Sequence, residues 1–227
     1  MLLLRLEAPF GVFRTFAAGS FRPTAGFITP SAAYGLLLNV AGIEMRHDDG
    51  NSVMTTIKKD LPRCRLAIGA LEPPNRHSLF QQLHNYPVGN TGQEHRPATK
   101  GNKYNITPAR RSFLGNLKAY IAMDGNDQLA GWVRDGLAGK REHQYGLPFL
   151  GDNNFLIDRL APVTDRREAF WYTKIDATTA EDKADNVTRL TITIDRAEMG
   201  NTRSALFAPL AAPSREIPEG AWVEVGY

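Results

Sequence analysis

Six basic residues, Arg96, Lys100, Lys103, Arg110, Arg111 and Lys118, occur with no acid anywhere between Arg96 and Lys118. Gly101, Asn102, Tyr104 and Asn105 are interleaved with them. Such a strip offers cations for phosphates, amides and backbone N–H groups for sugars and base edges, and one ring for an unpaired base. The competing reading is a loop whose charges serve solubility, although such loops usually mix signs and this one does not. Arg14 and Arg22 form a second candidate pair, because no acid lies between Ala8 and Ile43 to neutralise them locally. A guanidinium fork matches phosphate oxygens and base edges, and the alternative partner is a carboxylate distant in sequence. His95, Lys100, Lys103 and Tyr104 could also supply the base and acid that metal-free RNA cleavage at a 2′-OH requires. Binding is favoured over cleavage, since phosphate-binding loops contain these residue types anyway. No residue is therefore assigned a catalytic role.

Other chemistries leave little trace. The single Cys64 excludes an internal disulfide and a multi-cysteine zinc site, and reads as a small buried hydrophobe. His47, His77, His84, His95 and His143 are scattered without metal-ligand spacing. Gly89–Gly92 and Gly136–Gly139 match the short GxxG string that clamps nucleic-acid backbones, but the string is common. Neither a P-loop, GxSxG nor HExxH is present. No cofactor or metal is expected.

Charge placement supports a polyanion partner for the first half of the chain. The 227 residues carry a net charge of +3, yet residues 1–119 hold 15 Lys+Arg against 7 Asp+Glu, and residues 120–227 hold 12 against 17. A solvated basic face remains the alternative. A hydrophobic fraction of 42% suits a folded globular protein, and no apolar run approaches the roughly 20 residues of a membrane helix, so a cytoplasmic protein without membrane contact is expected.

The elements that must position these residues are legible in part. Leu2, Leu4 and Leu6 alternate with Leu3, Arg5 and Glu7 as a half-buried strand requires, and Pro9 and Gly11 end it. Phe10, Phe13, Phe16, Phe21 and Phe27 crowd the following loop, where Phe27 and one or two others belong in the core. Thr29 as N-cap, Pro30 at the first position and Gly42 as stop predict a helix from Pro30 to Ala41. Gly35 inside it costs about 1 kcal/mol against Ala, which implies close approach of another backbone.

A strand is expected over Cys64–Leu71, a strand or short helix over Leu79–Tyr86, and a projecting loop or hairpin over Pro87–Pro108. A return strand over Arg110–Met123 and a helix over Asp127–Leu137, stopped by Gly139, come next. Gly146–Asp158 reads as a connection, followed by strands at Glu168–Ile175, Thr188–Asp195 and Trp222–Val225. The order strand, helix, strand, strand, helix, strand fits an α+β, ferredoxin-like sheet with helices on one face, the architecture of RNA recognition motifs, plus an additional C-terminal β element. The base-stacking aromatic signature of those motifs is not evident. The division expected is 1–145 for that domain and 146–227 for a C-terminal β-rich portion on the same body.

Ala8-Pro9, Phe13-Arg14, Arg22-Pro23-Thr24, Phe27, Pro30-Ser31, Tyr34-Gly35-Leu36-Leu37 and Ala41-Gly42-Ile43 together resemble the fifth CRISPR-associated protein family. Arg110-Arg111-Ser112-Phe113-Leu114 and Leu147-Pro148-Phe149-Leu150-Gly151-Asp152-Asn153 add to the likeness, which looks closest to type I-B. These are RAMP-superfamily subunits of type I Cascade complexes that hold the 5′ handle of the CRISPR RNA (crRNA). The resemblance implies a RAMP core with a thumb at about 87–108. It also implies crRNA, the Cascade backbone subunit and the large PAM-sensing subunit as partners, with target DNA nearby. By the same resemblance Arg14 and Arg22 lie near the RNA handle. Type I-C relatives process precursor RNA, so the resemblance leaves a metal-independent endoribonuclease as the rival. A scaffold whose basic loop meets an acidic partner is a further one.

Overall fold

One strand organises the rest of the computed structural model, which describes residues 1–15, 21–47, 50, 55–86, 105–142, 146–176 and 186–226. This strand, β7, runs over Asn105–Asp124, and each of its edges serves two neighbours. Along one edge, Leu114–Met123 pair antiparallel with β1 (Leu2–Gly11), and Arg110–Arg111 pair parallel with β2 (Phe21–Arg22). Along the other edge, Ala119–Asp124 pair with β5 (Cys64–Ala70), and Asn105–Gly115 pair with β6 (Asn75–Tyr86). β6 and the outer half of β7 thus form a long hairpin that continues the central sheet outward.

Helix α1 (Pro30–Val40) lies between β1 and β5 in sequence, and α2 (Asp127–Leu137) between β7 and β8 (Arg159–Pro162). The central strand order is β8-β1-β7-β5, antiparallel at each step, so each helix joins two strands that have one other strand between them. β9 (Phe170–Ile175) extends this sheet from β5, followed by β11 (Arg203–Pro209) and β10 (Thr188–Thr193). β12 (Val223–Val225) also pairs with β5. β3 (Arg46–His47) and β4 (Thr56–Ile57) make a separate small ladder.

Both helices start and stop where their sequence signals stand. Thr29 Oγ1 accepts from Ala32 N–H at 3.2 Å, and Asn126 Oδ1 accepts from Leu129 N–H at 2.9 Å. At the other end, Gly42 and Gly139 adopt φ of +69° and +72°. Gly42 N–H bonds Asn39 O while Ile43 N–H bonds Leu38 O, and Gly139 and Lys140 repeat this pattern on Gly136 and Asp135, a Schellman motif at each helix end.

The main core lies between the helices and one face of the sheet. Leu2, Leu4, Leu6 and Ala8 of β1, Leu66 and Ile68 of β5, and Leu117, Ala119 and Ile121 of β7 meet Leu37, Leu38, Leu129 and Val133 there. The opposite face holds Leu3, Ala67, Tyr120 and Ala122, covered by Ala169, Trp171 and Ala221. Between Leu114 and Leu117, both in the main core, the pleat shifts by one residue at Asn116, which adopts φ +54°. Asn is among the few residues that tolerate this conformation at low cost.

Leu79–Tyr86, open between strand and short helix, is a strand that begins earlier, at Asn75, and the return strand begins at Asn105; residues 87–104 of the expected projection lie outside the described residues. β8 and β11 had no expected counterpart, because RLAP and RSALFAP carry Pro and no clean alternation; their neighbours' backbones hold them in place. Gly35 differs from expectation. A Cβ there would meet only Met45 Sδ, at 3.5 Å, an ordinary contact. The close approach occurs instead at Gly136 of α2, where a Cβ would fall on the Val40 carbonyl at the end of α1.

The two glycines therefore separate under substitution. Gly35→Ala is expected to raise the unfolding free energy by about 0.5–1 kcal/mol. Gly136→Ala is expected to lower it by about 1–3 kcal/mol as α2 is forced off α1. Urea unfolding of both variants measures the difference.

Candidate nucleic-acid interface

Local backbone pairing brings four arginines to one rim of the sheet. The parallel bridge of β2 sets Phe21 beside Arg110 and Arg22 beside Arg111. Upstream, Phe13 N–H donates to the buried Thr24 Oγ1 at 2.9 Å and Ala25 N–H to Phe13 O at 2.7 Å, closing the base of the loop. This buries Phe13 and leaves Arg14, bridged to Thr24, exposed. Pairing of Phe13 and Arg14 with Thr24 and Ala25 thus leaves a cation exposed in a segment without acids.

Arg110 and Arg111 point to opposite faces, as neighbours in a strand must. Arg110 is exposed, and its Nε and Nη2 donate to Ser78 Oγ across the hairpin at 3.3 and 3.2 Å. Arg111 is largely buried and its Nη1 lies 2.6 Å from Asp152 Oδ2, with its guanidinium 5.7 Å from the centre of the Phe155 ring. Lys118 Nζ likewise donates to both oxygens of Glu72, at 2.9 and 3.0 Å. The strip from Arg96 to Lys118 is therefore opposed at two members, by acids remote in sequence.

The segment carrying Asp152 wraps the free end of β1. Leu150 is buried in the main core and its carbonyl accepts from Val12 N–H at 3.0 Å. Gly151 follows at φ +77°, where a Cβ would strike the Val12 carbonyl, so only glycine fits. Asp152 then accepts from Asn154 N–H at 3.0 Å, and Phe155 joins Phe10 and Phe113 in a cluster with centroids 5.5–5.9 Å apart. His77 stacks on Phe113 at 5.3 Å. The motif Leu150-Gly151-Asp152 acquires a physical role as the latch between β1 and Arg111.

Of the sequence-derived site residues, the fold brings Arg14, Arg22, Arg110 and Arg111 together; Arg96, Lys100, Lys103 and Tyr104, with His95, lie outside the described residues. Phe13 and Phe27 are core rings, whereas Phe10 and Phe21 are 43% and 47% exposed, and Phe16 lies outside the described residues. Phe80, 79% exposed beside Arg110 on the hairpin, was not singled out from sequence, although an acid-free strand carrying an isolated Phe is a signal of this kind. Among the described residues no group of three or more His, Cys, Asp or Glu is placed to hold a metal ion. Burial pushes the Cys64 thiol up to about 12, which keeps it protonated and unreactive at neutral pH. Among the described residues no helix is long and apolar enough to cross a membrane.

Comparison with known proteins bears on the family and the fold. The family described as CRISPR-associated protein (Cas5) matches residues 1–157. A solved chain described as a CRISPR RNA-guided surveillance complex is similar at TM-score 0.57 and 16% identity, over 94% of this chain and 89% of that one. A second, described as the crystal structure of a Cas protein, is similar at TM-score 0.51 and 14% identity, over 97% and 98%. No curated protein matches the chain.

The latch has a pH signature. Burial acts to raise the Asp152 pKa, but hydrogen bonds from the Asn154 backbone and from Arg111, with the charge of Arg111, outweigh it and hold the carboxyl below its usual value. Its contribution to stability is thus complete above the unfolded carboxyl pKa, about 3.9, and is lost as pH falls through the lower folded value. Asp152→Asn is expected to cost about 1–3 kcal/mol at neutral pH and to flatten the loss of stability below about pH 4. Thermal unfolding of both proteins across acidic pH checks this.

Proposed function

The chain belongs to the CRISPR-associated Cas5 family, and on that premise we propose that it is a non-catalytic subunit of a type I Cascade complex that grips the 5′ handle of the crRNA. The observation that carries this reading is the arginine rim: Arg14 and Arg110 are exposed, Arg22 stands beside Arg111, and β2, β6 and β7 from Asn105 to Met123 contain no acid. Guanidinium groups on rigid strands suit a backbone that must be held at a set register. Arg111 acts as a positioning residue, anchored to Asp152. Arg96, Lys100, Lys103 and Tyr104, which follow β6 and precede β7 in sequence, are assigned to the same interface on their residue types.

The core is a ferredoxin-like RAMP domain. Its support is the order β8-β1-β7-β5 with α1 and α2 as the two crossovers. The hairpin is the thumb, which packs against the backbone subunit, while the body meets the large PAM-sensing subunit, with target DNA nearby through the complex. Sequence recognition of the target is then delegated to the guide, and this subunit recognises one constant RNA end. No cofactor is required, and the protein works in the cytoplasm.

Purified protein incubated with labelled CRISPR repeat RNA in EDTA tests the reading. Retention of intact RNA is expected, and Arg14→Ala with Arg22→Ala together should weaken retention and reduce the salt slope by about 0.7 for each phosphate contact removed. A discrete cut at the handle boundary overturns the non-catalytic assignment in favour of an endoribonuclease.

A further inference from the structure

Resting on the RNA-binding reading, we propose that Phe21, Arg110 and Phe80 form one recognition row that takes a two-nucleotide step of single-stranded RNA, with the linking phosphate on Arg110 and the two flanking bases on the rings. Phe21 pairs with Arg110 across the β2–β7 bridge, and Phe80 pairs with Arg110 across the β6–β7 hairpin. Residues directly opposed across strands share a face, so the three side chains stand in line on the same side of the sheet. Phe21 and Phe80 are 47% and 79% exposed, and Arg110 is exposed between them.

Two features favour RNA over an apolar protein partner. Among the described residues Phe80 makes no ring contact, and the neighbouring positions on β6 are Ser78 and Gln82. The row is centred on a cation, and β2, β6 and β7 from Asn105 to Met123 contain no Asp or Glu. Ser78 Oγ, accepting from Nε and Nη2, fixes the guanidinium in the row and leaves Nη1 for an incoming oxygen. Adjacent strands lie about 4.8 Å apart, which separates the two rings by about 10 Å. Bases stacked along a strand rise about 3.4 Å, so these rings fit bases turned apart rather than stacked neighbours. Base stacking on aromatic side chains is tolerant of base identity, and the row therefore reads strand geometry.

The test uses the full chain with labelled CRISPR repeat RNA and with an abasic strand of the same length. Phe21→Ala and Phe80→Ala are each expected to weaken binding of the repeat RNA by roughly 5- to 150-fold at unchanged salt slope. Phe21→Tyr and Phe80→Tyr should restore it, and binding of the abasic strand should not change. Arg110→Ala should lower the salt slope for both strands by about 0.7. Alanine variants that bind the repeat RNA like the unsubstituted chain, while Arg14→Ala and Arg22→Ala do not, overturn the row and leave the RNA-binding reading standing. Equal weakening on the abasic strand also overturns it, as does loss of association with neighbouring Cascade subunits at unchanged RNA affinity. Absence of RNA binding by the unsubstituted chain overturns both readings.

Discussion

The central sheet and the arginine rim both depend on the pairing of β7, which engages β6 and β5 along one edge and β2 and β1 along the other. The buried part of a strand cannot leave its N–H and C=O groups unpaired, so the inner half of β7 has a strand on each edge. β1 and β5 serve its inner half, where the helices cover it; β2 and β6 serve its outer half, where they do not. The core and the arginine rim are therefore two ends of one rigid element. Asn116 divides them, and its left-handed backbone lets Leu114 and Leu117 enter the same core although they are an odd number of residues apart.

The rim separates two uses of arginine by strand alternation alone. Arg111 points to the side where Asp152 and Phe155 wait, and its charge is spent on holding a loop against β1. Arg110, one residue earlier, faces the other way, between two exposed rings. A partly buried guanidinium with a carboxylate at 2.6 Å is a structural joint, whereas an exposed one oriented by a serine hydroxyl keeps its charge available. The basic character of the first half of the chain thus overstates the number of cations left for a polyanion.

Local signals were readable wherever the physics is local. Thr29, Pro30 and Gly42 around α1, and Gly139 after α2, act within a single helical turn, and the backbone bonds they make depend on nothing further away. Gly35 and Gly136 show the limit: both lie within helices, but which of them meets another backbone depends on how α1 and α2 pack. The same holds for Phe13 and Phe27 against Phe10 and Phe21, since composition marks a crowded aromatic loop without saying which rings the sheet covers.

By itself the amino-acid sequence determined the two helices, the strands that alternate cleanly, the family likeness and the acid-free basic segments, because periodicity, capping and charge runs are properties of neighbouring residues. Tertiary structure alone decided that Asp152 neutralises Arg111, that Glu72 engages Lys118, that β8 and the late strands join one sheet, and that Phe80 stands beside Arg110. Those outcomes follow from pairing register between segments far apart in the chain, and register is set by which faces must be buried together.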